Sequence, residues 1–237
     1  MIRIDKYLCD FGNLTRSEAK KAIASGRVMC NGSPLKDAAF KVDENTSVIS
    51  LDGKELRFQK EIYLVMNKPA GYVTSRSEKE GKTVFELLND FPQKNLEPIG
   101  RLDKDTEGIL LFTTDGKMNH FLLSPKRHVP KTYFVETKYT ISQEDIDLLK
   151  EGVFLDGDEK KTLPCKAEKI DDTHLYLTLT EGRFHQVKRM LQAVSNEVVY
   201  LRRDSFGEIR LSENFLLGTV RELKENEIDE LKKTYEE

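Results

Sequence analysis

The chain has 237 residues, of which 38% are hydrophobic and 33% are charged. This balance is typical of a soluble globular protein and excludes a disordered chain, and the length allows a small domain beside a medium one. No apolar run approaches the roughly 20 residues of a membrane helix, and residues 1–6 lack the apolar stretch of a secretory signal. We therefore expect a cytoplasmic protein without a membrane partner.

Cysteine usage narrows the class further. The three cysteines, Cys9, Cys30 and Cys165, are far apart and form no C-x-x-C pair. A disulfide framework and a zinc site both need closely spaced ligands, so the pattern argues against each of them. His120, His128 and His174 also lack ligand spacing with cysteines or acids. The sequence predicts no metal site.

Charge is distributed unevenly along the chain, although the formal net charge is only −3. Residues 1–30 contain six basic and three acidic side chains, whereas residues 222–237 contain seven acidic and three basic ones. A basic N-terminal segment on a chain of negative net charge indicates a local anion-binding face near the N-terminus.

The first predicted elements are two short helices. Ile4, Tyr7, Leu8 and Phe11 recur at helical spacing, and Gly12 ends that run. A capping-box pattern at residues 15–18 predicts a second helix that extends to about residue 25, with a glycine at 26 free to take the left-handed conformation.

Small strands follow these helices. Residues 27–30 predict a strand that ends at an Asn-Gly turn, and residues 47–51 and 54–56 predict a pair joined by an Asp-Gly turn. Two helices followed by short strands indicate a separate module of about 60 residues, with a linker near residues 58–60.

The remainder of the chain mixes strands and helices without regular alternation, which favours an α+β class. Its predicted strands cover residues 62–66, 109–113, 132–137 and 175–180. The strand at 109–113 is predicted to turn at Asp115-Gly116. Its predicted helices cover residues 84–88, 142–150, 185–194 and 226–235.

A polar loop bounded by two glycines precedes the strand at 109–113. Its sequence is GRLDKDTEG, residues 100–108. Loops held by a buried strand commonly carry reactive groups, so Asp103 is a candidate, although an ordinary loop carboxylate would look the same.

Three motifs in the larger part resemble the RluA/RsuA pseudouridine synthases. They are NKPAG at residues 67–71, the GRLDKDTEG loop, and EGRFHQVKRM at residues 181–190. The N-terminal module resembles the S4 RNA-binding domain through RIDKYL at 3–8, TRSEA at 15–19, and the GRV and NG segments at 26–28 and 31–32. Together these matches span nearly the whole chain.

The resemblance implies an S4-like domain at residues 1–59. It further implies a catalytic domain at residues 60–237, built on a mixed, mainly antiparallel sheet. By the same resemblance, Asp103 is expected to be the catalytic carboxylate, Lys188 the cation that keeps it ionised, and Tyr133 the ring that stacks on the target base. Pseudouridine formation involves neither redox change nor hydrolysis, so the resemblance implies no cofactor.

Further roles follow from the same resemblance. Leu201 is expected to pack against the ring system, and Arg101 to fill the gap left by an extruded base. The remaining predicted substrate-binding residues are Lys68 and, in the RNA-binding module, Arg3, Arg16 and Lys20. His185 is expected only to brace its motif.

The segment at residues 124–133 and the insertion at 152–164 are most similar to members that act on small-subunit rRNA. This implies isomerisation of one uridine of 16S rRNA, a uridine-516-type site, with base flipping. The RNA could be bound within an assembling small subunit, and a monomer is expected. The alternatives are a 23S rRNA enzyme, a tRNA-modifying synthase, or a non-catalytic RNA-binding ribosome-assembly factor.

Overall fold

The computed structural model describes residues 1–12, 14–43, 46–56, 61–88, 90–91, 93 and 95–236. The chain divides into two compact units, Met1–Lys60 and Glu61–Glu237. The linker predicted near residues 58–60 lies outside the described residues. No helix within the described ranges has both the length and the apolar character needed to cross a membrane.

In the part of the chain that the structure describes, the first unit contains two helices and six short strands. They are β1 (Ile2–Arg3), α1 (Ile4–Phe11), α2 (Arg16–Ala24), β2 (Val28–Cys30), β3 (Ser33–Pro34), β4 (Lys41–Val42), β5 (Ile49–Leu51) and β6 (Lys54–Leu56). Strand β1 pairs with β4, and the order β3-β2-β5-β6 forms a second antiparallel sheet. The two helices and their sheets enclose one apolar core.

Local sequence signals account for most of this unit. The capping box of α2 is complete, because the Thr15 backbone N–H donates to Glu18 and the Glu18 N–H donates to the Thr15 hydroxyl. Gly26 has a φ of 74°, and Asn31 and Gly32 also have positive φ at their turn. These predictions are confirmed. Strands β1, β3 and β4 were missed, since two residues are too few to show a period.

Among its described residues, the second unit contains four helices and nine strands. They are β7 (Tyr63–Lys68), β8 (Glu97–Ile99), β9 (Glu107–Thr113), α3 (Gly116–Leu123), β10 (Lys131–Thr137), α4 (Gln143–Glu151), β11 (Lys166–Lys169), β12 (His174–Leu179), α5 (Gln186–Ala193), β13 (Val198–Phe206), β14 (Ile209–Arg210), β15 (Val220–Glu222) and α6 (Glu225–Glu236). Short 3₁₀ turns occur at Glu78–Glu80, Val84–Leu87 and Pro125–Arg127.

All nine strands join one sheet with the order β11-β12-β10-β13-β9-β7-β15, to which β14 and β8 are added beside β13 and β9. Among the strands that the structure describes, only β9 and β13 run parallel. The α+β class and the mixed, mainly antiparallel sheet are therefore confirmed. Because β13 lies between β9 and β10, it joins the two halves of the sheet.

Several elements differ from the predictions. Strands β8, β11, β14 and β15 were not predicted, and the helix expected at 84–88 is the 3₁₀ turn at Val84–Leu87. The two differences nearest the site are α3 and β13. Asp115-Gly116 does not close a turn between strands but begins α3, where the Asp115 carboxylate accepts backbone N–H bonds from Lys117 and Met118, each 3.0 Å long. Strand β13 was not predicted, because its charged residues at 202–204 interrupt the apolar pattern. Burial of Arg203 within the sheet makes this interruption compatible with a central strand.

Candidate active site

The loop that carries Asp103 connects β8 to β9 and is positioned by a close approach of two strands. Gly108, in β9, is in parallel register with Arg203 in β13. A Cβ atom built on Gly108 would lie 2.2 Å from the Arg203 carbonyl oxygen, and its φ is 101°. Only glycine fits both conditions, so the second glycine of the loop motif sets the distance between the loop and β13.

Lys68 holds the same loop from inside. Its side chain is 0% exposed at the end of β7. The Nζ atom donates to the carbonyl oxygens of Asp103 at 3.0 Å, Thr106 at 2.7 Å and Pro69 at 3.1 Å. Burial lowers the pKa of Lys68 to about 8, although nearby carboxylates act to raise it. Lys68 had been predicted to bind the substrate. Its fully buried ammonium, surrounded by carbonyl oxygens, is instead placed to position the loop.

The Asp103 carboxylate lies between two nitrogen atoms. Its side chain is 27% exposed, Lys188 Nζ is 3.4 Å from Oδ2, and His185 Nε2 is 3.5 Å from Oδ1. Lys188 lies in α5, and His185 immediately precedes that helix with a φ of 47°. The structure thus brings together the predicted pair, Asp103 and Lys188, and adds a second nitrogen that sequence reasoning treated only as a brace.

Lys188 is shared with a second carboxylate that the sequence analysis did not consider. Its Nζ atom lies 2.6 Å from Asp105 Oδ1, closer than to Asp103. Partial burial raises the pKa of Asp105, but the ion pair with Lys188 outweighs that effect and lowers the pKa overall. Asp105 is 71% exposed, so this pair lies at the rim where solvent screens it.

The segment before α5 is held by its own charge network. Arg183 forms ion pairs with Glu181 and Asp158, and Arg189 also pairs with Asp158 at 2.7 Å. These contacts link the EGRFHQVKRM motif to residues 156–161. They fix the start of α5 and hence the positions of His185 and Lys188.

A cleft of about 380 Å³ opens beside the carboxylate. It is lined by four of the predicted site residues, Arg101, Asp103, Tyr133 and Leu201. Arg101 is exposed, whereas Leu201 belongs to the core and shows only its edge. The volume falls in the range of small-ligand sites and matches a single nucleoside better than a stacked helix. Among the described residues, no group of three or more metal-ligating side chains was found.

Two cations at this cleft were missed by sequence reasoning. Arg203 is 2% exposed and donates from Nε to the Ile109 carbonyl at 2.7 Å, while its Nη2 atom finds no hydrogen-bond partner among the described residues. Lys131 donates to the Val129 carbonyl at 2.7 Å. Burial, followed by the charge of Arg203, lowers the pKa of Lys131 to about 8. The sequence did contain a signal for both cations. Lys131 is two residues from Tyr133 and Arg203 is two residues from Leu201, and residues two apart in a strand share a face.

The cations predicted for the first unit lie on or beside its helices. Arg3 pairs with Asp5 at 2.8 Å, so part of its charge is already compensated. Arg16 and Lys20 are exposed on α2, and neither forms an ion pair with a residue that the structure describes. This unit therefore presents two exposed positive charges four residues apart on one helix face.

Comparisons with known proteins agree with these features. Residues 62–193 match the family described as RNA pseudouridylate synthase, and residues 2–48 match the S4 domain. The chain is 46% identical over 233 residues to an uncharacterized RNA pseudouridine synthase of Bacillus subtilis (strain 168), covering 96% of this chain and 97% of that protein. It is 40% identical over 230 residues to the ribosomal small subunit pseudouridine synthase A of Vibrio vulnificus (strain CMCP6), covering 96% and 98%. A crystal structure of a pseudouridylate synthase superposes with a TM-score of 0.69 at 35% identity, covering 98% and 100%.

Proposed function

The chain belongs to the RNA pseudouridylate synthase family, and on that premise we propose that it isomerises one uridine of small-subunit rRNA to pseudouridine. The observation that carries the proposal is the Asp103 carboxylate held between Lys188 and His185 at a nucleoside-sized cleft. The small-subunit substrate is supported by relatives at 36–40% identity that are named ribosomal small subunit pseudouridine synthase A. The 16S position of the uridine-516 type belongs to the same proposal.

The reaction explains why these groups are needed. Uracil N1 must separate from the ribose, the base must turn, and C5 must form the new bond to the same carbon. An ionised carboxylate beside the sugar can attack the ribose or the base, or remove a proton, and Asp103 has the position for each. Lys188 and His185 each face one carboxylate oxygen of Asp103, which restricts the rotation of that side chain.

The surrounding side chains would hold the nucleoside. Tyr133 offers an aromatic face for stacking on the uracil, and Leu201 supplies an apolar surface at the same cleft. Arg101, exposed at the edge, would occupy the gap that the extruded base leaves in the RNA. Extraction of a base costs a few kcal/mol of stacking and pairing, which a planar cation partly offsets.

RNA affinity would come in part from the first unit. Arg16 and Lys20, with Arg3, would contact phosphates of the folded RNA, and such contacts add affinity without reading sequence. Lys68 has a different role in the proposal. It positions the Asp103 loop through the backbone and does not contact the RNA.

The test uses rRNA from a strain that lacks this gene. Wild-type protein, Asp103→Asn and the matched control Asp105→Asn are compared for tritium release from 5-tritiated uridine, and the modified position is mapped. We expect Asp103→Asn to lose activity by about 10²–10⁴-fold or more, because the reacting carboxylate is removed. Asp105→Asn removes an equal negative charge beside the same lysine, Lys188, and should retain most activity. Equal activity of wild type and Asp103→Asn would remove Asp103 from its role.

Mapping separates the remaining alternatives. A modified uridine in 23S rRNA or in tRNA would retain the chemistry and overturn the small-subunit assignment. Absence of pseudouridine on every RNA, together with tight RNA binding, would favour a non-catalytic assembly factor.

A further inference from the structure

A second concave surface lies in the same unit as the cleft and is distinct in character. It has a volume of about 670 Å³ and is formed by α3 and the 3₁₀ turn at Pro125–Arg127. Four of its side chains can carry positive charge, namely Lys117, His120, Lys126 and Arg127. None of the described residues that line it is acidic. We call it the basic depression.

The cations of the basic depression face solvent. Lys117, Lys126 and Arg127 are exposed and form no ion pair with any residue that the structure describes. The Arg127 guanidinium lies over the Phe121 ring, 4.2 Å from its centroid, within the roughly 6 Å of a cation–π contact. This stacking holds one cation in place while its edge remains open to solvent. On a chain whose net charge is −3, such a cluster marks an anion-binding surface.

The basic depression continues into the active-site cleft. Ser124 lines both, and its neighbours Leu123 and Pro125 line the cleft, while Lys126 and Arg127 line the depression. A chain that leaves the cleft over Ser124 therefore enters the depression directly. RNA carries one phosphate per nucleotide, so a strand whose uridine occupies the cleft would bring adjacent phosphates to these cations.

We propose that the basic depression binds the phosphates of nucleotides that flank the target uridine on the same RNA strand. The inference rests on the proposed function, because that function places the uridine in the cleft. It adds a second RNA contact, in the catalytic unit, to the one expected from α2. The depression would fix the direction in which the strand leaves the cleft, without reading base identity.

The experiment measures RNA binding rather than catalysis. The triple variant Lys117→Gln, Lys126→Gln, Arg127→Gln is compared with wild type for its Kd towards an unmodified transcript of small-subunit rRNA, over a range of salt concentrations. A matched control, Lys138→Gln, Lys150→Gln, Lys166→Gln, removes equal charge elsewhere in the second unit. These lysines lie just after β10, in α4 and in β11. Circular dichroism and thermal unfolding verify that both variants fold.

The expected result is specific to the depression. Each lost phosphate contact makes the negative slope of log K against log salt shallower by about 0.7–0.9. The slope of the triple variant should therefore be shallower by about 2–3. The variant should also bind RNA about tenfold or more weakly near 0.1 M salt. The control variant should change the slope by less than half that amount. A triple variant that binds like wild type, or only as weakly as the control, would overturn the proposal.

A photoreactive amino acid in place of Lys126 provides the positional test. Its crosslinks should map to nucleotides adjacent to the uridine that the wild-type enzyme modifies, and crosslinks confined to a distant part of the RNA would overturn the proposal. Pseudouridine formation is measured separately on the same transcript. If wild-type protein bound RNA but modified none, the proposed function would fail. That outcome is independent of the binding result for the triple variant, which tests the basic depression.

Discussion

Two lysines contact the Asp103 segment in different ways. Lys68, at the end of β7, is fully buried and donates to backbone carbonyls of the loop. Lys188, in α5, lies at the rim and faces the carboxylates of Asp103 and Asp105. Two identical chemical groups therefore serve different purposes. The ammonium of Lys68 determines the path of the loop, and the ammonium of Lys188 acts on the reactive side chain of the loop.

Burial is the physical origin of this difference. A buried ammonium is strongly unfavourable unless hydrogen bonds compensate it, so Lys68 is bound into the fold by its partners and its removal leaves them unsatisfied. A rim ion pair is screened by water and adds little stability. Substitutions at the two positions should separate stability from catalysis.

The largest effect is expected for Lys68→Met. The substitution keeps the volume but leaves several buried carbonyl oxygens without their donor, which should lower the free energy of unfolding by about 3–5 kcal/mol. Activity should fall as well, because the Asp103 backbone loses its anchor. Urea unfolding and tritium release measure both quantities. If Lys68→Met were as stable as wild type, the positioning role would be refuted.

Lys188→Met should show the opposite balance. We expect kcat to fall about 10²-fold, equivalent to about 2.7 kcal/mol, because Asp103 loses its principal cation. The free energy of unfolding should change by less than about 1 kcal/mol, as for other rim ion pairs. Lys188→Arg, which keeps the charge, serves as the control and should retain most of the activity. A large loss of stability in Lys188→Met would contradict the distinction between the two lysines.

The burial of Lys131 can be tested through the pH dependence of stability. Its pKa is about 8 in the folded protein against an ordinary value of 10.5, so between these values the unfolded chain binds more protons. Lys131 therefore makes the folded state more stable as pH rises from about 8 to about 10.5. Because Lys131→Met lacks this group, its stability relative to wild type should fall by up to about 3 kcal/mol between pH 7 and pH 10.5. Parallel pH profiles of unfolding would show that Lys131 is not buried as a charge.

The smallest effect is expected for Asp105→Asn. Its ion pair with Lys188 is short but exposed, so the free energy of unfolding should change by less than about 1 kcal/mol. Lys188 would then remain paired with Asp103 alone, and kcat should stay within about tenfold of wild type. A loss as large as that of Lys188→Met would mean that the lysine acts mainly through Asp105.

The first unit was predicted well because its signals are local. The Thr15 and Glu18 capping box and the positive φ of Gly26 depend on residues within one turn of each other. The second unit was predicted less completely. Strand β13 pairs with β9, about ninety residues earlier in the chain, and its charged residues hid that pairing. Helix α3 was also missed, since Asp115-Gly116 is equally typical of a turn.

The candidate site divides in the same way. Motifs identified Asp103, Tyr133 and Lys188, and the structure places the first and third 3.4 Å apart and the second at the same cleft. The contacts of His185 and Asp105 with this group were not predicted. Neither was the buried position of Lys68, which the sequence could not distinguish from an exposed basic residue.

Sequence alone determined most of the helices, about half of the strands, the class of the fold and the residues capable of the chemistry, because caps, turns, periodicity and motifs are set by neighbours along the chain. Tertiary structure decided which of those charged residues are buried and which carboxylate each cation faces. It also created the basic depression, whose charges converge only after α3 and the turn at Pro125–Arg127 have packed together. Charges in a protein acquire their role from desolvation and from distance, and both are properties of the folded chain.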